Sequence, residues 1–197
     1  MIAFIYDKSD FPDELTNLRL TGRLSAKRDD LRIGLVTDKK IIKKYKAKFG
    51  SHWFPEGTYS TLILKRYDGQ VYHSDLLSDD RNFMYWINKK SITNVEEMVP
   101  ETFRIFELLR QPILVAFVDL DSKSKKEFKD SVFLIDEVLK EVAPAFFHGL
   151  IVSYADNKLY NRHRKLLGIT HSKVPALSIN NHGQQVIPYP EDEEISV

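Results

Sequence analysis

The sequence predicts an α/β protein of two tandem domains, each a mixed central sheet flanked by helices. Three observations support this fold class. The order strand, helix, strand, helix, hairpin occurs twice, with a period of about 115 residues, far longer than solenoid repeats. Parallel strands joined by helices, followed by an antiparallel hairpin, form a mixed sheet. An acidic stretch that ends in proline, residues 92–100, separates the two copies.

The composition is that of a globular protein. The chain has 197 residues, of which 43% are hydrophobic and 12% aromatic, and its formal net charge is +1. A near-neutral chain has no bias towards nucleic acid or anionic membranes. No apolar run approaches the roughly 20 residues that cross a bilayer, and the short apolar start is no secretory signal. We therefore expect no nucleic-acid partner and no membrane contact.

The first copy shows apolar runs of strand length and apolar residues at helical spacing. Asp68 and Gly69 are a strong two-residue hairpin signal. The predicted elements are a strand at 1–6, a helix with Phe11, Leu15 and Leu18, a strand at 31–36, a helix with Ile41, Ile42, Tyr45 and Phe49 that Gly50 ends, strands at 58–67 and 70–76, and a helix with Phe83, Trp86 and Ile87.

The second copy repeats this order. Its predicted elements are a helix with Phe103, Phe106 and Leu109, a strand at 112–120, a long helix with Phe128, Val132, Ile135, Val138, Leu139, Val142 and Phe146, a strand at 150–154, a helix with Leu159, His163, Leu166 and Leu167 that Gly168 ends, and strands at 176–179 and 184–187 around the turn 181–183. We align Phe4 with Phe117, Leu35 with Val152 and Leu62 with Leu177.

A proline opens an apolar strand in the second copy, in the run Val174-Pro175-Ala176-Leu177. A trans proline is allowed at the first residue of any strand. In this element order, however, the position resembles the cis-proline of the thioredoxin fold, and a cis X–Pro bond costs little. We expect a cis bond before Pro175 as a structural feature. Ser60 takes this place in the first copy, where we expect a trans bond.

The chain contains no cysteine. A redox-active thioredoxin domain carries Cys-x-x-Cys where its first central strand meets the next helix, whose N-terminus lowers the thiol pKa. The corresponding windows, residues 7–12 and 119–125, contain no sulfur. Dithiol–disulfide exchange is therefore impossible in this chain, and we expect no catalytic residues, no cofactor and no metal.

Two adjoining thioredoxin-like domains without cysteines resemble the b and b′ domains of the protein disulfide isomerase family. The resemblance covers nearly the whole chain and implies a b-like domain at 1–94, truncated at its N-terminus, and a b′-like domain at 95–197, truncated at its C-terminus. It rests on element order and on five runs: residues 1–7 (MIAFIYD), 31–38 (LRIGLVTD), 83–92 (FMYWINKKSI), 95–101 (VEEMVPE) and 173–179 (KVPALSI).

The resemblance implies a function. In this family the b′ domain holds unfolded or partly folded clients through an apolar pocket, the b domain is a spacer, and catalytic thioredoxin domains lie in the same parent chain. The implied location is the lumen of the endoplasmic reticulum. This chain is not expected to be an enzyme itself, and the activity of its parent stays open. By position, the pocket is expected to be lined by Phe103, Phe106, Ile113, Val115, Leu166, Leu167 and Ile169.

Two alternatives use the same fold. One is a stand-alone redox-inactive chaperone or adaptor with no catalytic domains. The other is a calsequestrin-like storage protein, which is disfavoured because the acidic excess that such proteins need is missing. A Cys-x-x-Cys domain elsewhere in the open reading frame would separate the first alternative from the isomerase-like function.

Three further patterns have simple structural explanations. The lysine-rich stretch 39–49 is interpreted as a helix with a solvated face rather than a nucleic-acid or lipid surface. Asp119 and Asp121 follow a strand and are interpreted as caps of the next helix together with Ser122. No standard metal-ligand spacing occurs among His148, His163, His171, His182 and Asp156, and His163 is expected to be partly buried and hydrogen-bonded.

Overall fold

The computed structural model describes residues 2–6, 22–23, 26, 28, 31–36, 38–49, 60–74, 80–121, 123 and 125–195. The chain divides into two compact units, Met1–Ser91 and Ile92–Val197. This division falls close to the boundary expected after residue 94. The predicted helix with Phe11, Leu15 and Leu18 lies outside the described residues, as does the bond that precedes Ser60.

The first unit contains a four-stranded mixed sheet. Its described elements are β1 (Ile2–Tyr6), β2 (Ile33–Val36), α1 (Lys39–Phe49), β3 (Ser60–Lys65), β4 (Val71–Ser74) and α2 (Asp80–Ser91). The strand order is β2-β1-β3-β4. β1 is parallel to β2 and antiparallel to β3, and β3 pairs with β4 as an antiparallel hairpin. This is the mixed sheet that the sequence predicts.

The β3–β4 hairpin has a longer loop than the two-residue turn predicted at Asp68 and Gly69. The Arg66 N–H donates to the Gln70 carbonyl at 2.9 Å, so three residues form the loop. Gly69 has φ 88°, the left-handed conformation that such a loop requires at its last position. The Gln70 N–H donates to the Asp68 carboxylate at 3.0 Å, which holds the turn.

The core of the first unit joins α2 to the sheet. Leu64 on β3 packs with Phe83 and Ile87 on α2, and all three are buried. Arg28 is also buried and donates to Asn88 Oδ1 at 2.7 Å. α2 is therefore held by apolar packing on the sheet side and by a buried hydrogen bond from Arg28.

The second unit contains a five-stranded mixed sheet. Its elements are β5 (Val95–Glu97), α3 (Pro100–Leu109), β6 (Ile113–Val118), α4 (Lys125–Phe133), a π-helical segment (Leu134–Leu139), α5 (Lys140–Phe146), β7 (Ile151–Asp156), α6 (Asn161–Leu166), β8 (Ala176–Asn181) and β9 (Gln185–Pro188). The strand order is β5-β7-β6-β8-β9. β6 is parallel to β7 and antiparallel to β8. The order β7-β6-β8-β9 thus repeats the order β2-β1-β3-β4 of the first unit.

The two sheets repeat in topology, but the residue alignment expected from sequence has the wrong register. Phe4 lies opposite both Leu35 and Leu62. Its expected counterpart, Phe117, lies opposite two alanines. Because side chains alternate along a strand, a shift by one residue changes the face of the sheet. The three expected matches therefore cannot hold together: if Phe4 matches Phe117, then Leu35 corresponds to Ala155 and Leu62 to Ala176.

The sheet of the second unit has a hydrophobic core on each face. Along β6, Ile113, Val115 and Phe117 belong to one core, and Ala116 and Val118 to the other, as alternation requires. The first core also contains α3 residues, and the second contains residues of the π-helical segment and α5. The buried helix residues are Ile105, Phe106 and Leu109 in the first core and Leu134, Val138, Leu139 and Ala143 in the second.

The long helix predicted up to Phe146 contains a π-helical segment. At its end the Lys140 N–H donates to the carbonyl of Ile135, five residues earlier. The wider turn takes one extra residue and rotates the helix that follows. Phe146, which follows the segment and belongs to the predicted stripe, is therefore 54% exposed. Leu134, which is absent from that stripe, is buried.

Candidate functional site

The candidate site lies at the start of β8, directly after a cis peptide bond between Val174 and Pro175. The cis bond that the sequence predicts is confirmed. The segment before it is held by Arg164 on α6, whose Nη2 donates to the carbonyl groups of His171 and Lys173. Side chains around Pro175 are therefore placed by β8 on one side and by α6 on the other.

Sequence reasoning missed Arg164 and expected His163 to be partly buried. His163 is exposed, and its ring contacts that of Tyr160 at 5.7 Å between centroids. Arg164 is only 3% exposed. The predicted apolar face of this helix is wrong, because Leu159 precedes α6 and Leu166 projects into solvent. Charged residues are normally exposed, so no sequence signal marks a buried arginine.

A cavity of about 670 Å³ opens beside Pro175. Its floor is apolar and buried, with Leu134 and Val138 from the π-helical segment and Leu177 from β8. Phe133, at the end of α4, is 57% exposed and adds an apolar wall. The described residues that line it are Lys126, Glu127, Asp130, Phe133, Leu134, Val138, His171, Lys173, Val174, Pro175, Ala176, Leu177, Tyr189, Pro190, Glu191, Glu193, Glu194 and Ile195.

The rim of this cavity is acidic, with five carboxylates against two lysines in its lining. The segment after β9 supplies three of the carboxylates. It is held by the Tyr189 hydroxyl, which donates to the Glu194 carbonyl at 3.1 Å, and by Lys173 Nζ, which donates to the Glu191 carbonyl at 3.1 Å. An apolar floor under an acidic rim suits an apolar ligand with neighbouring positive charges.

Carboxylates occupy the position after β6 where redox cysteines would lie. Lys158 Nζ is 3.0 Å from Asp121 Oδ2 and 3.5 Å from the buried Asp119 Oδ1. The pKa of Asp121 is lowered by the Lys123 N–H and by Lys158, and the pKa of Lys158 is raised mainly by Asp121. Both carboxylates also accept N–H groups of this loop. Asp119 Oδ1 accepts from the Asp121 N–H and Asp121 Oδ1 accepts from the Lys123 N–H, and neither of these bonds is to an N–H of α4. The described part of this loop is therefore a cluster of ion pairs.

The seven residues expected to bind clients do not form one open surface. Four of them are at most 4% exposed and belong to the core shared with α3, so a ligand cannot reach them in this conformation. None of the seven lines the cavity beside Pro175. Client binding by this set stays a prediction. Phe106, Ile113, Val115 and Ile169 are the core residues, Leu167 packs half-buried against them, and Phe103 and Leu166 are exposed.

The lysine-rich helix α1 carries its charges on an exposed face. Lys39, Lys40, Lys43 and Lys44 are exposed, as the sequence indicates. Ile41 is 45% exposed, so its predicted position facing the core is wrong.

In the part of the chain that the structure describes, no three acidic or histidine side chains group closely enough to hold a metal. No helix in that part is long and apolar enough to span a bilayer.

Comparisons with known proteins agree with this architecture. A family model described as a thioredoxin-like domain matches residues 25–197. The bb fragment of ERp72 is 17% identical over 98% of this chain and 82% of its own, with a TM-score of 0.58. The first two thioredoxin domains of Eps1p from Naumovozyma dairenensis are 12% identical over 97% of this chain and 84% of theirs, with a TM-score of 0.52.

The zinc-bound form of human ERp44 is 15% identical over 95% of this chain, with a TM-score of 0.48. The chain spans about half the length of ERp44, since it covers 49% of that protein. No curated protein sequence matches this chain. At these identities, the likeness to the ERp72 and Eps1p structures shows the fold alone.

Proposed function

Because the chain belongs to the family of thioredoxin-like domains, we propose that it is a non-catalytic, client-binding scaffold of a protein disulfide isomerase-like folding protein. Its clients are unfolded or partly folded polypeptides. The catalytic thioredoxin domains of the same parent chain are its functional partners, and the lumen of the endoplasmic reticulum is its location. The observation that carries the proposal is the apolar cavity beside Pro175 in a unit that has no cysteine.

The absence of cysteine limits what the fold can do. Thiol–disulfide exchange requires a thiolate, and the chain has none. At the equivalent position Asp119 and Asp121 share the single positive charge of Lys158 and accept hydrogen bonds from their own loop. The remaining capability of this site is non-covalent binding.

The cavity supports binding of a flexible chain better than binding of one defined small molecule. Its volume of about 670 Å³ is enough to enclose apolar side chains of a client. Phe133, which is 57% exposed, offers apolar area with little directional hydrogen bonding beside the buried floor of Leu134, Val138 and Leu177. Clients of many sequences can bury apolar side chains on such a floor, and specificity for one sequence is low.

The acidic rim narrows the class of client. Five carboxylates beside an apolar floor favour segments in which apolar residues have lysine or arginine neighbours. Exposed charges are screened by salt. Binding of an apolar peptide flanked by lysines should therefore weaken as the salt concentration rises, and binding of an uncharged apolar peptide should not.

The test is a substitution of Phe133, the most exposed apolar residue of the cavity, with peptide binding measured by fluorescence anisotropy. Burying a phenylalanine side chain contributes about 1.5–3 kcal/mol, so Phe133→Ser should weaken binding by about tenfold or more. Phe146→Ser is a matched control, because Phe146 has nearly the same exposure and does not line the cavity.

Equal weakening by both substitutions, or none by Phe133→Ser, would contradict binding at this cavity. Phe103→Ser and Leu166→Ser test the surface expected from the sequence. If these two variants lose binding and Phe133→Ser keeps it, the client lies on α3 and α6 instead.

The second candidate is a stand-alone chaperone or adaptor of the same fold. The ion pair between the exposed Lys158 and the buried Asp119 suits this candidate equally, since it needs no redox partner. The full open reading frame separates the two candidates. A Cys-x-x-Cys domain within it supports the isomerase-like scaffold, and its absence supports the adaptor.

A further inference from the structure

A second cavity, of about 210 Å³, shares His171 with the cavity beside Pro175. Its lining contains two cations, Arg164 and Lys165, besides two amide side chains, two hydroxyl groups and the His171 ring. Among the residues that the structure describes, no carboxylate lines it. Every polar side chain of this lining can therefore donate a hydrogen bond.

The charge of Arg164 has no counter-ion among the described residues. Its Nη1 donates to the Asn157 amide oxygen at 2.7 Å, and its Nη2 donates to the carbonyls of His171 and Lys173. All of these acceptors are neutral, and the buried Nε has no partner. Burial lowers the pKa of Arg164, but a guanidinium stays protonated in proteins. A buried charge is normally paired with an opposite charge, because an unpaired one is costly.

We propose that this cavity binds a small oxyanion, the phosphate or carboxylate group of a ligand, through Lys165, Thr170 and Ser172, with the charge of Arg164 behind them. The volume is below the 300–1,000 Å³ of sites for drug-sized molecules, and it accommodates an oxyanion with a few waters. Charge-assisted hydrogen bonds from an ammonium group to an oxyanion are among the strongest in proteins.

This oxyanion site lies next to the proposed client cavity but differs from it in the chemistry of its lining. Arg164 holds the two carbonyls that precede the Val174–Pro175 bond, and His171 lines both cavities. An oxyanion bound here adds a counter-charge beside the segment that forms one wall of the larger cavity. The inference does not depend on client binding, since it is tested with the anion alone.

The experiment titrates the full chain with inorganic phosphate at constant ionic strength and follows backbone amide shifts. Saturable shifts at Lys165 and at residues 170–172 are expected. Lys165→Gln should weaken phosphate binding about tenfold, as expected for loss of a hydrogen bond between charged groups. Arg162→Gln is the matched control, because Arg162 is exposed on the same helix and does not line the cavity. This substitution removes the same charge. The affinity of the Arg162→Gln variant for phosphate should stay within about twofold of that of the parent.

A second variant separates a built site from general attraction. Thr170→Ala with Ser172→Ala removes two hydroxyl donors without changing the charge and should also weaken phosphate binding several-fold. A short peptide with a free C-terminal carboxylate, compared with its amidated form, distinguishes the source of the oxyanion. Saturation by phosphate or by the free acid supports the site. Shifts that grow linearly with both ligands, or that are equal in Lys165→Gln and Arg162→Gln, would overturn it.

Discussion

Gly168 ends α6 in a conformation that other residues adopt only at a cost. Its φ is 76°. The Gly168 N–H donates to the Lys165 carbonyl and the Ile169 N–H donates to the Arg164 carbonyl. These two bonds form a Schellman motif. A Cβ at this position would also lie 3.3 Å from Pro188 Cγ. We expect Gly168→Ala to lower the free energy of unfolding by about 1–2 kcal/mol, measured by urea denaturation.

Gly149→Ala is the control for this prediction. A Cβ at Gly149 meets nothing within 4 Å, and this glycine has no positive φ. Its free energy of unfolding should change by less than about 0.5 kcal/mol. An equal loss in both variants would mean that the Gly168 conformation adds nothing to stability.

Lys89 on α2 is a buried lysine whose pKa is lowered to about 8 by burial and by the neighbouring Lys90. Its pKa in the unfolded chain is the ordinary 10.5. Between these values the unfolded chain binds more protons than the folded one, so the free energy of unfolding rises with pH from about 8 to 10.5. Below pH 8 the buried charge destabilises the fold.

We expect Lys89→Met to remove this rise and to stabilise the protein at neutral pH, measured by urea denaturation across the pH range. Lys40→Met removes an exposed lysine of the same unit and should keep the rise. A Lys89→Met variant with the same pH dependence as the parent would show that Lys89 is solvated.

The roles of residues could be predicted where the residue type determines the backbone conformation. Pro175 and Gly168 were expected as a cis-proline and a helix end, and both are found there. Arg164 and Lys89 were not expected to be buried, because charged side chains are usually exposed and no neighbouring residue marks the exception.

At the scale of elements, a buried hydrogen bond joins α4 to the end of β6. The Asp119 N–H donates to Ser131 Oγ at 2.9 Å, and both residues are buried. Ser131→Ala removes this acceptor, so we expect a loss of about 1–3 kcal/mol in the free energy of unfolding. Thermal and urea unfolding measure it.

Ser172→Ala is the comparison for this loss, because it removes the same hydroxyl group at an exposed position of the same unit. Measured in phosphate-free buffer, its free energy of unfolding should change by less than about 0.5 kcal/mol. If Ser131→Ala unfolds like the parent, water or another group replaces the hydroxyl and the contact does not position α4.

The elements themselves were predicted well where apolar periodicity is long and regular. β6 and β7 lie within two residues of the predicted strands, since their apolar runs are continuous. The π-helical segment could not be predicted, because the spacing of Val138, Leu139 and Val142 suits an uninterrupted helix equally well. The loop at Gly69 contains one residue more than the turn signal suggests.

At the scale of the whole molecule, the duplicated fold was predictable and the cavity was not. The repeat shows in the order of elements, which sequence records directly. The cavity beside Pro175 is formed by α4, by the start of β8 and by the segment after β9, which are far apart in sequence. Its position depends on how these elements pack, and the residues chosen from sequence on α3, on β6 and around the end of α6 fall partly in the core.

We propose that the second unit holds unfolded clients at the cavity beside Pro175. NMR titration of the full chain with an unstructured apolar peptide flanked by lysines tests this proposal. We expect saturable amide shifts at residues 133–138, 173–177 and 189–195, with residues 1–90 unaffected. Shifts confined to Phe103 and Leu166, or to residues 39–48, or no shifts at all, would contradict it.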